Sequence, residues 1–317
     1  MSLPGLFVEV DDFCQEFERW AAPQQLRLGQ NAPYRGCPPG KAKRGPVPLM
    51  SASEIVAIVI HFHQVGYRDF KHYYQRHVCE HLFTEFPRLV SYGRFVELMP
   101  SVGLVLCAYL QSRFGRGTGI AFVDSTPVAV CHNRRIARHR VFRNLAARGR
   151  NTMGWFYGFK LHLIVSDLGE LLAVHLTPGN VDDRKPLEGM TRDLYGKLFG
   201  DKGYLCLGQS GTRKGPVRSQ AMFETFYERG LELVTSLRKN MKNQLMLISD
   251  RLLLRKRFII ETITDQLKNI SQVEHTRHRS PANFAVNLLA GLIAYTHQPK
   301  KPSLHLPTDL AQLPALI

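Results

Sequence analysis

The sequence has little of what marks several common protein classes. Its six cysteines, Cys14, Cys37, Cys79, Cys107, Cys131 and Cys206, are scattered without a C-x-x-C pair or a regular spacing. That argues against a zinc ribbon and against a disulfide framework, and the thiols are expected to be reduced. The histidines contain no H-E-x-x-H. The one local group, His77, Cys79 and His81, lacks a second ligand pair, and on a helix Cys79 points away from both histidines. No stretch approaches the roughly 20 uninterrupted apolar residues of a membrane span. The first thirty residues carry Glu9, Asp11, Asp12, Glu16 and Glu18 where a signal peptide would be basic and apolar, so a cytoplasmic protein with no membrane partner is expected. Acid is also scarce. The chain has 26 Asp and Glu against 42 Lys and Arg, a formal net charge of +16, and the excess points to a polyanionic partner, with nucleic acid first.

What is present fits an enzyme-sized globular chain. With 317 residues and 44% hydrophobic content there is room for one catalytic domain and a smaller module. Residues 35–47, RGCPPGKAKRGPV, combine Pro, Gly and basic residues without periodicity and read as a linker closing an N-terminal segment, 1–49. Ser51 and Glu54 then make a capping-box pattern ahead of an apolar run, so a helix begins there. Helical periodicity over Tyr67 to Phe83 and Phe95 to Leu110 makes 50–116 an all-helical domain. Its basic residues suit either DNA binding or a structural cap.

From Gly119 the pattern changes to strands. GIAFVDST is an apolar run that delivers Asp124 at its end, FYGFKLHLIV alternates, and a Ser-Asp-Leu-Gly-Glu connection leads into LLAVHLT. A short helix opened by Pro186 precedes KLFGDKGY, a strand ending at Asp201. A helix near Ser219 to Arg229, a strand at LELVTSL and a long helix from about Asp250 to Ile270 follow. Three strands, helix, strand, helix, strand, helix is the order of a ribonuclease-H-like mixed sheet flanked by helices. We therefore expect an α/β fold over 117–300 with an N-terminal all-helical domain and a C-terminal tail, 301–317.

That core would carry one acid on its first strand, a second after its fourth strand and a third on a late helix. Asp124 and Asp201 fill the first two places, and Asp250, Glu261 and Asp265 are all open for the third. Phosphodiester cleavage and strand transfer need such acids. Two divalent cations about 4 Å apart activate the attacking oxygen and stabilise the leaving one, and hard carboxylate oxygens suit Mg2+ or Mn2+. Taken singly, each acid is an ordinary cap, turn or surface residue.

LRKRFIIETITDQLK resembles the catalytic-helix signature of insertion-sequence DDE transposases, in which Tyr, Arg, Glu and Lys recur with gaps of two, three and six residues. Arg257, Glu261 and Lys268 fit it, and Leu254 stands where the tyrosine would be. With FVDST, GFKLHLIVSDLGELLAVHLTPGNVDD, GDKGY and VEHTRHRSPANFAVNLLAGLIAY, nearly the whole chain is similar to the insertion sequence 982 family, within the insertion sequence 4-like DDE superfamily. The resemblance implies a prokaryotic, nucleoid-associated transposase that binds the terminal inverted repeats of its element and target double-stranded DNA. It would work as a homodimer in the synaptic complex, with Asp124, Asp201 and Glu261 as catalytic ligands of two Mg2+ or Mn2+ ions.

A DNA-end site also assigns its neighbours. Arg257 and Lys268 would contact phosphates. Lys160 and His162, on one face of the second strand, would point toward the first-strand acid. Arg148 and Arg150, in a basic region interleaved with aromatics at 137–156, would hold backbone and unpaired ends. The rival expectations are a metal-dependent nuclease or resolvase on the same fold, and a catalytically inactive DNA-binding relative. The charge balance also predicts steep salt dependence. If six to ten phosphates are contacted, DNA affinity measured by fluorescence anisotropy should fall by about 10³ to 10⁵ between about 50 and 200 mM salt, and a flat profile would rule out phosphate-dominated binding.

Overall fold

Ser51 and Glu54 close the capping box expected of them. The Glu54 N–H donates to Ser51 Oγ at 3.1 Å and the Ser51 N–H donates to Glu54 Oε2 at 2.6 Å, starting the helix Ala52–Phe62. The computed structural model describes residues 2–21, 49–151, 154–204, 224–236, 246–274, 278–304 and 306. The linker at 35–47 and much of the helix expected over Ser219 to Arg229 lie outside them. By its contacts the chain divides into two compact units, Met1–Arg113 with Gln266–Pro299, and Phe114–Asp265 with Lys300–Ile317.

The first unit is helical. Ala52–Phe62 is buried along almost its whole length, and Leu3–Ala21 and Pro281–Thr296 pack on it. The helix Leu3–Ala21 was not among the expected elements, although Leu6, Val10, Cys14, Phe17 and Ala21 recur every three to four residues and are the residues it buries. The expected helix over Tyr67 to Phe83 runs from Phe70 to His81 and loosens into a π-helical stretch at Tyr73–Val78, where Tyr73, Tyr74 and Val78 are buried. Between Tyr92 and Ser112 the chain is interrupted by a 3-10 turn at Met99–Val102, because Pro100 cannot donate a helical hydrogen bond. Tyr92–Ser112 is the one run among the described residues long and apolar enough to cross a membrane, which the sequence reading had not singled out. Val102, Val105, Leu106 and Tyr109 are nevertheless buried within the unit, and Tyr109 Oη bonds His297 Nε2 at 3.1 Å.

The second unit is a mixed six-stranded sheet with helices: β1 (Ile120–Cys131), β2 (Ala147–Asn151), β3 (Gly154–Ser166), β4 (Leu171–Pro178), β5 (Gly196–Gly200) and β6 (Leu231–Thr235). β3 lies antiparallel between β1 and β4, and β2 pairs with its first residues. β5 runs parallel to β1, and β6 parallel to β5. The β3–β4 turn is the Ser-Asp-Leu-Gly-Glu connection expected. Ser166 N–H donates to Glu170 O at 2.9 Å, and Gly169 supplies the positive φ of 75° that a side chain would resist.

Alternation divides the sheet into two faces. Ala121, Val123, Ile164, Leu172, Leu198, Leu231 and Leu233 build one core with Tyr204 and Phe226. On the other face Phe122 stacks on Phe199, ring centroids 5.5 Å apart, and the helix Ile248–Arg255 packs against β5 and β6. One expectation changes in detail. Asp124 lies within β1, which continues to Cys131, so it marks the end of the parallel pairing with β5 and not the end of the strand. Replacing Phe199 by Ala should cost about 3–5 kcal/mol in urea unfolding, since both rings are fully buried; a loss below about 1 kcal/mol would show that the stacked pair does not set this register.

Candidate active site

Strand register brings the first two acids together. β1 and β5 pair Ile120 with Lys197, Ala121 with Leu198 and Phe122 with Phe199. Asp124 and Asp201 each follow two residues after the stacked phenylalanines. Continuing the register sets them side by side beyond the last paired residues. Gly200 permits the close fit just before the turn, since a Cβ there would lie 3.1 Å from both Val123 Cγ1 and Tyr204 Cδ2. The chain then turns in a 3-10 helix, Lys202–Tyr204, with Tyr204 N–H donating to Asp201 O at 3.0 Å.

The third acid arrives through a helix break. Where one long helix was expected, Ile248–Arg255 ends and Phe258–Asn269 begins, with Lys256 and Arg257 in the turn between. Lys197, at the start of β5, donates to both oxygens of Asp250 at 2.7 and 2.8 Å and anchors the first helix on the sheet. That bond also engages Asp250, one of the three acids left open by the strand order. Glu261, in the first turn of the second helix, is the acid that faces the strand pair through Arg257.

Arg257 ties the three acids together. Its Nη1 lies 3.9 Å from Asp124 Oδ2, and its Nη2 lies 3.9 Å from Asp201 Oδ1 and 3.2 Å from Glu261 Oε1. Only the contact to Glu261 is a hydrogen bond. Asp124 also accepts from the Ser125 N–H at 2.8 Å. Its carboxyl is pushed up to about 6, chiefly by burial. The Ser125 N–H and Arg257 oppose the shift, while the charges of Asp201 and Glu261 add to it. Among the described residues no three His, Cys, Asp or Glu side chains stand ready to hold one ion. The donor set itself, all carboxylate and mutually repelling, is the chemistry of a hard divalent-cation site. In this conformation a guanidinium stands among those carboxylates.

The remaining expected residues fall elsewhere. Asp124 is opposite Leu163 in the β1–β3 ladder, whereas Ser125 is opposite His162 and Pro127 opposite Lys160. Directly paired residues share a face, so Lys160 and His162 lie on the face away from Asp124 and not toward it as expected. Lys160 Nζ donates to Val181 O at 3.0 Å and Asp183 Oδ1 at 2.9 Å. His162 is buried against Thr177 Oγ1 at 2.8 Å and, mainly through burial, is lowered to about 4, hence neutral at pH 7. Lys268, two turns beyond Glu261, pairs with Glu274 at 3.2 Å within the helical unit. The sequence reading missed Tyr204. Its hydroxyl is buried without a hydrogen-bond partner among the described residues, and burial first, then the charges of Asp124 and Asp183, keep it protonated. Its place three residues after Asp201 in GDKGY was the available signal.

A second feature is the β2–β3 hairpin. Arg148 pairs with Tyr157 and Arg150 with Trp155 across the ladder, on one face. The Arg150 guanidinium sits 5.8 Å from the centre of the Trp155 ring, which is 61% exposed. Arg134, Arg135, Arg138, Arg140 and Arg143, which lead into it, are all exposed.

Residues 114–281, more than half of the chain, match the family described as Transposase DDE domain. No curated protein and no solved structure matches the chain. The raised Asp124 carboxyl fixes a sign for pH. Folded Asp124 holds its proton up to about pH 6 and unfolded Asp124 only to about 4. Its contribution to stability is therefore full below pH 4 and lost as pH rises through 6. In EDTA, Asp124→Asn should match the wild type near pH 4 and exceed it at pH 8 by up to about 3 kcal/mol. Equal unfolding free energies at pH 8 would mean that the acid is not crowded.

Proposed function

We propose that this chain, which belongs to the transposase DDE domain family, is an active transposase of the insertion sequence 982 type. It binds the terminal inverted repeats of its own element and carries out DNA strand cleavage and strand transfer with Asp124, Asp201 and Glu261 as metal ligands. The observation that carries the reading is the convergence of those three carboxylates on Arg257 where the parallel pairing of β1 and β5 ends. The strand order β4-β3-β1-β5-β6, with β5 and β6 parallel to β1, supports a ribonuclease-H-like core. Two Mg2+ or Mn2+ ions held by these carboxylates would supply an activated attacking oxygen and a stabilised leaving oxygen.

The protein's own groups then divide the work of holding DNA. Arg257 can reach a phosphate beside the scissile bond, since it is a two-armed donor already in the site. Arg148 and Arg150 neutralise backbone on the exposed hairpin face, and Trp155 offers an unpaired base a stacking surface. Lys160 and His162 act internally, Lys160 holding the turn after β4 through Asp183 and His162 bonding Thr177 within β4. The helical unit is the place we assign to inverted-repeat recognition, Lys268 within it would contact a phosphate, and synapsis of two ends calls for a homodimer.

A nuclease or resolvase on the same core would cut and not join. Linear element ends, a supercoiled target and Mg2+ separate the two readings, because joined products are expected from a transposase alone. Glu261→Gln should lower cleavage and joining together by at least about 10³-fold while leaving DNA affinity within about threefold. Undiminished joining by that variant would remove Glu261 from the site.

A further inference from the structure

Resting on the reading of Asp124, Asp201 and Glu261 as metal ligands, we propose that Arg257 is an internal competitor for divalent cations, a positioning residue that holds the three carboxylates together and must withdraw as a cation enters. All the hydrogen-bonding and ion-pair contacts of its side chain among the described residues are to these three acids. Two arms of one planar group reach three carboxylates, one at hydrogen-bond distance and two at 3.9 Å. It is a spanning counter-ion, not a tight bidentate partner.

A divalent cation draws carboxylate oxygens to about 2.1 Å. It would take the oxygens that both arms now face and place like charge within a few ångströms of the guanidinium, a repulsive arrangement. The backbone favours release. Arg257 lies in the turn between two helices, and its own N–H is a long 3.4 Å from Leu254 O, so the side chain can swing out without unwinding a helix. Its side chain is already 22% exposed, and the outward position is where a DNA phosphate would meet it. Cation entry and phosphate capture thus become two halves of one exchange.

The test is Mn2+ binding by the full chain at pH 8 without DNA, read from the electron paramagnetic resonance signal of free Mn2+. Wild type, Arg257→Gln, Arg257→Lys and Asp124→Asn would be compared. Arg257→Gln should bind Mn2+ about tenfold tighter or better and melt at a lower temperature in EDTA, where the acids have lost their counter-ion. Arg257→Lys, which keeps the charge, should bind more weakly than Arg257→Gln. In the wild type, the Arg257 Nε–H resonance should shift as Mg2+ is added and stay in place in Asp124→Asn; this readout holds even if Arg257→Gln does not fold. Equal or weaker Mn2+ binding by folded Arg257→Gln, or a resonance that does not move, overturns the exchange while leaving the ligand assignment standing. A wild type that binds no Mn2+, or binding that Asp124→Asn does not reduce, overturns both.

Discussion

Three carboxylates cannot share one corner of a sheet without a positive charge among them, and in this chain that charge is Arg257. The cost of bringing the acids together is visible at Asp124, whose carboxyl burial and its acidic neighbours hold near pH 6. One guanidinium within 3.2 to 3.9 Å of all three offsets part of it. The surrounding elements are arranged so that this one side chain arrives there.

β5 does most of the arranging although it has five residues. At one end Lys197 clasps Asp250 and fixes the helix Ile248–Arg255 on the sheet; at the other end the chain delivers Asp201. Four steps along a strand cover about 13 Å, and the seven residues from Asp250 to Arg257 cover about 10 Å as helix. The lengths match closely enough for the arginine side chain to span the difference. The Phe122–Phe199 stack sets the other coordinate by locking β1 against β5, which places Asp124 at the height of Asp201. Breaking the helix after Arg255 lets a second axis begin and turn Glu261 in.

Much of this was legible in the chain. Five of the six strand segments, β1, β3, β4, β5 and β6, announce themselves by alternation or by short apolar runs, and Ser51 with Glu54 announces a helix start, because such signals are local; β2, ARGRN, has no such pattern and reads only as part of a basic region. The hidden parts have non-local causes. The direction of Lys160 and His162 depends on a register against β1 that no single strand encodes, and a one-residue slip would have reversed it. The break at Lys256 and Arg257 falls in a sequence with no Gly or Pro, and helix periodicity runs through it. The pairing that engages Asp250 with Lys197 joins residues 53 positions apart. Pro281–Thr296 packs on Gly103–Ser112 and Ala52–Phe62 by contacts far more distant still in sequence.

The neighbours of the acids also limit what proton chemistry the site can do by itself. His162, the histidine expected beside Asp124, is neutral, buried and on the other face, bonded to Thr177. Leu254 stands where the related signature has a tyrosine, and it offers no polar atom. Tyr204 brings a hydroxyl into the field of Asp124, Asp183 and Asp201, but those charges and its burial keep it protonated, so it can donate a hydrogen bond and cannot serve as a base. Arg257 is permanently charged. Proton acceptance in the described site therefore falls to the carboxylates, and under the proposed reading divalent ions held by them would lower the pKa of a bound water instead of taking a proton themselves.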